Sequence, residues 1–201
     1  MQDQNIWLSS VCLVKGVILQ PANVFKKAKD GEIQKEVLIV FGIAALITLL
    51  KSFSARRQFL NFFADERLNQ LLSILSIPQI KWFITYLIYF VMICFVFGIC
   101  RLFGRATNLK TLTLAFMSIS GVGIVSQLFF YTVHFVVPKS VSFVGSYCVY
   151  FWVIGLSIKA IQVTQSFSLT KSLVSFLPPA IVFAILCEMT VVSPYLAWLT
   201  A

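Results

Sequence analysis

The sequence predicts an all-α protein, a polytopic membrane helical bundle of about five transmembrane helices with one or two interfacial amphipathic helices. Three observations point there. First, 59% of the residues are apolar, 11% are charged and 20 are phenylalanine, whereas a soluble domain carries about 25% charged residues. Second, the apolar residues fall in runs bounded by charge, each near the length of about 20 helical residues that crosses a hydrocarbon core of ~30 Å. Third, 16 basic against seven acidic residues give a net charge of +9, and the basic ones lie between the runs rather than along one face. That distribution suits membrane orientation and headgroup contact, and it argues against nucleic acid as a partner.

The N-terminus lacks the features of a cleaved signal. Asp3 stands where a basic start is expected and Lys15 interrupts the apolar stretch, so the mature chain is expected to begin near Met1. Over residues 5–20, Trp7, Val11, Val14 and Ile18 recur at helical spacing while Ser9, Ser10 and Lys15 break the run. This pattern fits an interfacial amphipathic helix ended by Pro21. The following PANVFKKAKDGEIQKE carries Lys26, Lys27, Lys29 and Lys35 and reads as a solvated polar connector, with anionic headgroups as the alternative contact.

The first span is Val37 to Leu50, short enough to recruit its flanks and occupy 35–54 with Lys35 and Lys51 snorkelling. Arg56, Arg57, Asp65, Glu66 and Arg67 mark the longest connection, and LLSILSIPQI after them suits a second interfacial helix around 70–80. Residues 82–100 form the cleanest span, uncharged between Lys81 and Arg101, with Trp82 as interfacial anchor. The third, 111–137, is long enough to tilt, and Ser118, Ser120, Gly121 and Gly123 would admit a neighbouring helix closely. Pro138 and Lys139 turn the chain tightly into 141–158, so these two spans should be antiparallel neighbours. The last, 173–199, contains Pro178, Pro179 and Pro194, and a kink or broken first turn is expected at the proline pair.

Basic residues count ten on the N-terminal side of such a chain and six on the other, which orients the N-terminus to the cytoplasm and the C-terminus outside. The five cysteines, Cys12, Cys94, Cys100, Cys148 and Cys187, form no CxxC pair and read as small buried thiols.

Several segments together resemble the Yip (Ypt-interacting protein) domain family of membrane proteins. They are the N-terminal stretch ending in Pro21 with Phe25 after it, LFGRATNLKTLTLAF at 102–116, YFWVIGLSIKAIQVTQSFSLTKS from Tyr150 to Ser172, and the proline pair that follows. The resemblance implies a non-enzymatic scaffold or accessory protein that binds another membrane protein, a transport or trafficking component among the candidates. The DLYGP motif of one eukaryotic branch is absent, which turns the expectation away from small-GTPase binding and towards the prokaryotic branch, in a bacterial plasma (inner) membrane.

Two features stand out as candidate sites. In RLFGRATNLK, Gly104 supplies a turn, Asn108 a helix cap, and Arg101, Arg105 and Lys110 converge as cytoplasmic anchors for lipid headgroups or a partner. Glu188 is the one acid inside an apolar run and His134 the one histidine. An intramembrane acid is costly unless paired or protonated; if the last span ends near Val192, before Pro194, both residues lie about 5 Å inside the outer boundary at ~1.5 Å per residue, so they could pair. A small transporter or channel lined by that pair, and a lipid-organising protein, are the alternative functions. No GxSxG, HExxH or glycine-rich phosphate loop occurs, so no enzyme activity, metal or cofactor is expected. Alkaline phosphatase fused after Lys139 should be active in cells and after Lys110 inactive; the opposite pattern would reverse the orientation.

Overall fold

The computed structural model describes residues 3–54, 78–104, 108–133 and 139–191. Among them are seven helices and no strand: α1 Asp3–Leu19, α2 Pro21–Asp30, α3 Gln34–Ser54, α4 Pro78–Leu102, α5 Leu109–Val133, α6 Lys139–Gln165 and α7 Leu169–Val191. Contacts divide the chain into two compact units, Met1–Ala44 with Val96–Phe176 and Ala45–Phe95 with Leu177–Ala201.

The larger unit is organised around the shortest helix. At Gln20 the backbone leaves helical geometry, with φ −140° and ψ 58°, and Pro21 opens α2 within its first turn, where its missing N–H leaves no bond unmade. In PANVFKKAKD the apolar Val24, Phe25 and Ala28 share one face and are buried, while Lys26, Lys27, Lys29 and Asp30 are exposed. The expected polar connector is therefore a helix with a dry face. Phe25 is fully enclosed, in one core with Leu13 and Val17 of α1, Val37 and Val40 of α3, Leu114, Ala115 and Ile119 of α5, and Leu156 and Ala160 of α6. Burying such a side chain contributes about 1.5–3 kcal/mol, enough to order a short helix that would be marginal alone. Helix α2 packs on α1, α5 and α6, and a turn at 31–33 then bends the chain by 116° into α3.

Two glycines set how closely these helices meet. A Cβ on Gly16 would lie 2.8 Å from Val24 Cγ2, and one on Gly121 would lie 2.8 Å from Val14 Cγ2 and 3.0 Å from Val40 Cγ1. Helix α1 thus rests against α2 at Gly16 and against α5 at Gly121. The unit also buries hydroxyls, and five of them donate within their own helix. Ser10 donates to Ile6 O at 2.9 Å, Ser118 to Ala115 O at 2.7 Å, Ser157 to Val153 O at 2.8 Å, Thr164 to Ala160 O at 2.7 Å and Ser175 to Lys171 O at 2.8 Å. Each bond stays within one helix, so small side chains tighten the packing at no desolvation cost.

In the smaller unit, the Tyr86 hydroxyl donates to Thr48 Oγ1 at 3.4 Å, joining α3 to α4. The Tyr89 and Phe183 rings meet edge-on at 6.2 Å, joining α4 to α7. Helix α7 runs through Pro178 and Pro179 to Val191.

Among the described residues, Tyr147–Gln165 is the one helical stretch long and apolar enough by itself to cross a membrane. Helices α2 and α3 pass that test together only as a bent pair, and Ile6–Leu19, Tyr86–Leu102, Leu109–Gly123 and Leu169–Phe183 are shorter apolar stretches. Apolar helices therefore stand at all the expected span positions, with one of full length. Their ends differ from expectation. Helix α6 passes the expected end at 158, because Lys159 is exposed while Ala160, Ile161, Thr164 and Gln165 on the other face are buried. Helix α4 already begins at Pro78, inside the segment expected at the interface, and residues 70–77 of that segment lie outside the described residues. Helix α1 matches the expected 5–20 element but buries one face, Ser10, Leu13 and Val17, while Trp7, Leu8, Val11 and Leu19 stay exposed.

Gly121→Ala should lower the thermal midpoint in detergent by an amount equivalent to about 1–3 kcal/mol, because two valines must move. Gly42→Ala, with nothing within 4 Å of its added Cβ, is the control and should leave the midpoint unchanged or raised.

Candidate functional site

Five helix ends of the larger unit are built by local backbone chemistry, and contacts join those of α2, α4, α6 and α7. Helix α2 closes on Gly31, whose φ of 79° is left-handed; Gly31 N–H donates to Ala28 O at 3.2 Å and Glu32 N–H to Lys27 O at 3.0 Å. This pairing satisfies the last carbonyls of the helix. Helix α4 ends similarly at Gly104, φ 87°, with its N–H donating to Arg101 O at 3.1 Å. Asn108 caps α5 by accepting the Lys110 N–H on Oδ1 at 3.0 Å, as the residue type at that position predicts. Helix α6 ends at Ser166, φ 54°, with Phe167 N–H donating to Gln162 O at 3.1 Å. Ser168 then caps α7, accepting from Lys171 N–H at 3.4 Å.

Segment 166–168 joins the ends of α2, α4, α6 and α7. Lys29 Nζ donates to Ser166 Oγ at 3.1 Å, tying α2 to the end of α6. The Phe103 and Phe167 rings meet edge-on at 6.2 Å and 88°, tying the end of α4 to the same segment. Lys171 Nζ lies 6.0 Å from the centre of the Phe167 ring, within reach of a cation–π attraction. Ser166 occupies a left-handed position that costs a residue with a side chain about 1–2 kcal/mol, and here its hydroxyl receives a lysine.

The resulting face is basic. Lys26, Lys27, Lys29, Arg101, Lys110 and Lys171 are all exposed, with exposed Asp30 and Glu32 tempering the field at the end of α2. Such a face attracts anionic surfaces at roughly 1 kcal/mol per cation close to an anionic leaflet. Among the described residues, no group of three or more His, Cys, Asp or Glu side chains could hold a metal ion.

The structure places the residues singled out from sequence as follows. Arg101 lies on the last turn of α4 and Lys110 on the first turn of α5, both on the basic face, while Arg105 lies outside the described residues. Pro178 and Pro179 lie within α7, exposed and buried respectively. Glu188 falls in the same helix, three residues before its end at Val191, and His134 lies outside the described residues. Sequence reasoning missed Lys29, Phe103, Ser166, Phe167 and Lys171 as a group. The signal for them is weak, since a serine ending a helix where glycine is usual is visible only once the backbone is known.

The family model described as the Yip1 domain matches residues 15–189. That region takes in the whole of α2 to α6 and every residue of the basic face. No curated protein matches the chain. No solved structure matches it.

Ser166→Gly should raise the thermal midpoint by the equivalent of about 1 kcal/mol, since glycine adopts the left-handed conformation without penalty. Ser166→Ala keeps the strain and loses the Lys29 contact, and should lower it. Both variants lose the Lys29 contact, so equal midpoints for the two would show that the strain does not affect stability.

Proposed function

The chain belongs to the Yip1 domain family, and from that premise we propose that it is a non-enzymatic integral membrane scaffold that binds another membrane protein, a component of transport or trafficking. The observation that carries this reading is the outward face of α6. Tyr147, Tyr150, Phe151 and Trp152 are between 50% and 71% exposed, and Gly155 one turn on is exposed as well. Aromatic anchors beside a small residue are what a partner helix packs against in a membrane, where close approach rather than water exclusion drives association.

The proposed setting is a bacterial inner membrane crossed by α3 to α7, with the N-terminus cytoplasmic and the C-terminus outside. Tyr147–Gln165 of α6 is long and apolar enough to span by itself, and shorter apolar stretches in α4, α5 and α7 support this setting. In this arrangement the basic face of the larger unit is cytoplasmic, as the excess of lysine and arginine on that side favours. Membrane lipids are then constant partners and the second protein a specific one.

A photoreactive benzoylphenylalanine at Tyr150 should give one discrete protein adduct in native membranes, and the same probe at exposed Leu46 of α3 should give none. A Tyr150 probe that returns only lipid adducts would contradict the scaffold reading.

A further inference from the structure

Helix α1 carries its single cation in the middle of an apolar surface. Val11, Val14, Lys15, Ile18 and Leu19 follow one another at helical spacing, and with Val125 of α5 they line an open groove of about 460 Å³. That volume falls within the roughly 300–1,000 Å³ of sites that hold small molecules. Lys15 is exposed, and among the described residues it has no hydrogen-bond or ion-pair partner. Its neighbours on the outward face, Trp7, Leu8, Val11 and Leu19, are all more than 60% exposed and apolar.

An ammonium in such a place is unfavourable in hydrocarbon unless an anion meets it. An amphiphile with an anionic head and an alkyl tail satisfies both requirements of the groove at once. A soluble anion would leave the apolar walls uncovered, and a zwitterionic lipid would bring a second cation to the ammonium along with its phosphate. We infer that the α1–α5 groove is a binding site for one anionic phospholipid, its phosphate on Lys15 and one acyl chain along Val14, Ile18, Leu19 and Val125. Side chains on a helix lean towards its N-terminus, so the ammonium reaches back towards the level of Val11 and leaves the stretch beside Ile18 and Leu19 for the chain. The site requires the membrane setting but no protein partner, and the two readings fail separately.

Titration of the full-length detergent-purified chain with phosphatidylglycerol and phosphatidylcholine, followed by native mass spectrometry, tests this. The unmodified protein should retain phosphatidylglycerol at least fivefold over phosphatidylcholine. Lys15→Gln should abolish the preference, Lys15→Arg should keep it, and Lys159→Gln, which removes an exposed cation elsewhere, should not change it. Val125→Trp, which fills the groove and spares the charge, should reduce retention of both lipids. Glycerol 3-phosphate, offering the anion without the tail, should not displace the bound lipid. A preference that survives Lys15→Gln, that Lys159→Gln removes equally, or that glycerol 3-phosphate competes away would overturn the assignment. Equal thermal midpoints for the variants and the unmodified chain separate lost binding from lost folding.

Discussion

Phe25 holds the larger unit together. A phenyl ring from a ten-residue helix sits fully enclosed in one core with side chains of α1, α3, α5 and α6, and α2 packs directly on α1, α5 and α6. The helix has little reason to form by itself. It forms because the ring, with Val24 and Ala28, fills a space that would otherwise be a cavity, and cavities in close-packed interiors are expensive. Pro21 starts the helix and the left-handed Gly31 stops it, so the wedge has a fixed length.

From that constraint the rest follows in order. Because α2 occupies the centre, α1 must lie over it, and the two touch at Gly16 and Val24 where no larger residue fits. Because α1 is held there and against Gly121 of α5, its opposite face is turned outward with Trp7, Leu8, Val11 and Leu19 exposed. Water would not tolerate that face and hydrocarbon does, which connects the packing of a single ring to the membrane setting of the chain. At the end where α2 finishes, the same geometry delivers Lys29 to Ser166 and gathers the exposed cations into one basic surface. Five of the hydroxyls buried between helices donate to carbonyls of their own helices, so size and shape do much to specify the interior, and association with lipid or partner falls to the outer surface.

Much of this was legible in the residues, for reasons that can be stated. The apolar runs of α3 to α7 are visible because long stretches that are apolar on every side can be read directly from the residues. The Asn108 cap and the Gly104 turn are visible because few residue types do those jobs. Helix α2 reads as a connector because its four charged residues dominate any average, although the buried Val24, Phe25 and Ala28 stand at helical spacing. Its burial is a tertiary fact, set by α1 and α3 on either side and by helices more than 80 residues further along the chain. Helix α6 was cut short at Lys159 by the rule that charge ends a span, which fails when a lysine stands on the outward side of a helix whose inner face stays buried. The meeting of Lys29, Phe103, Phe167 and Lys171 depends on backbone turns that composition does not encode. Of the pair expected from Glu188 and His134, the structure describes only the place of Glu188 along α7.

Cysteine accessibility in intact membranes tests the central role of α2 most directly. In a cysteine-free background, Ala28→Cys should resist a water-soluble maleimide while Lys27→Cys, one residue away on the opposite face, reacts fully. Equal and complete labelling at both positions would mean that 21–30 is a solvated connector and that Phe25 organises nothing.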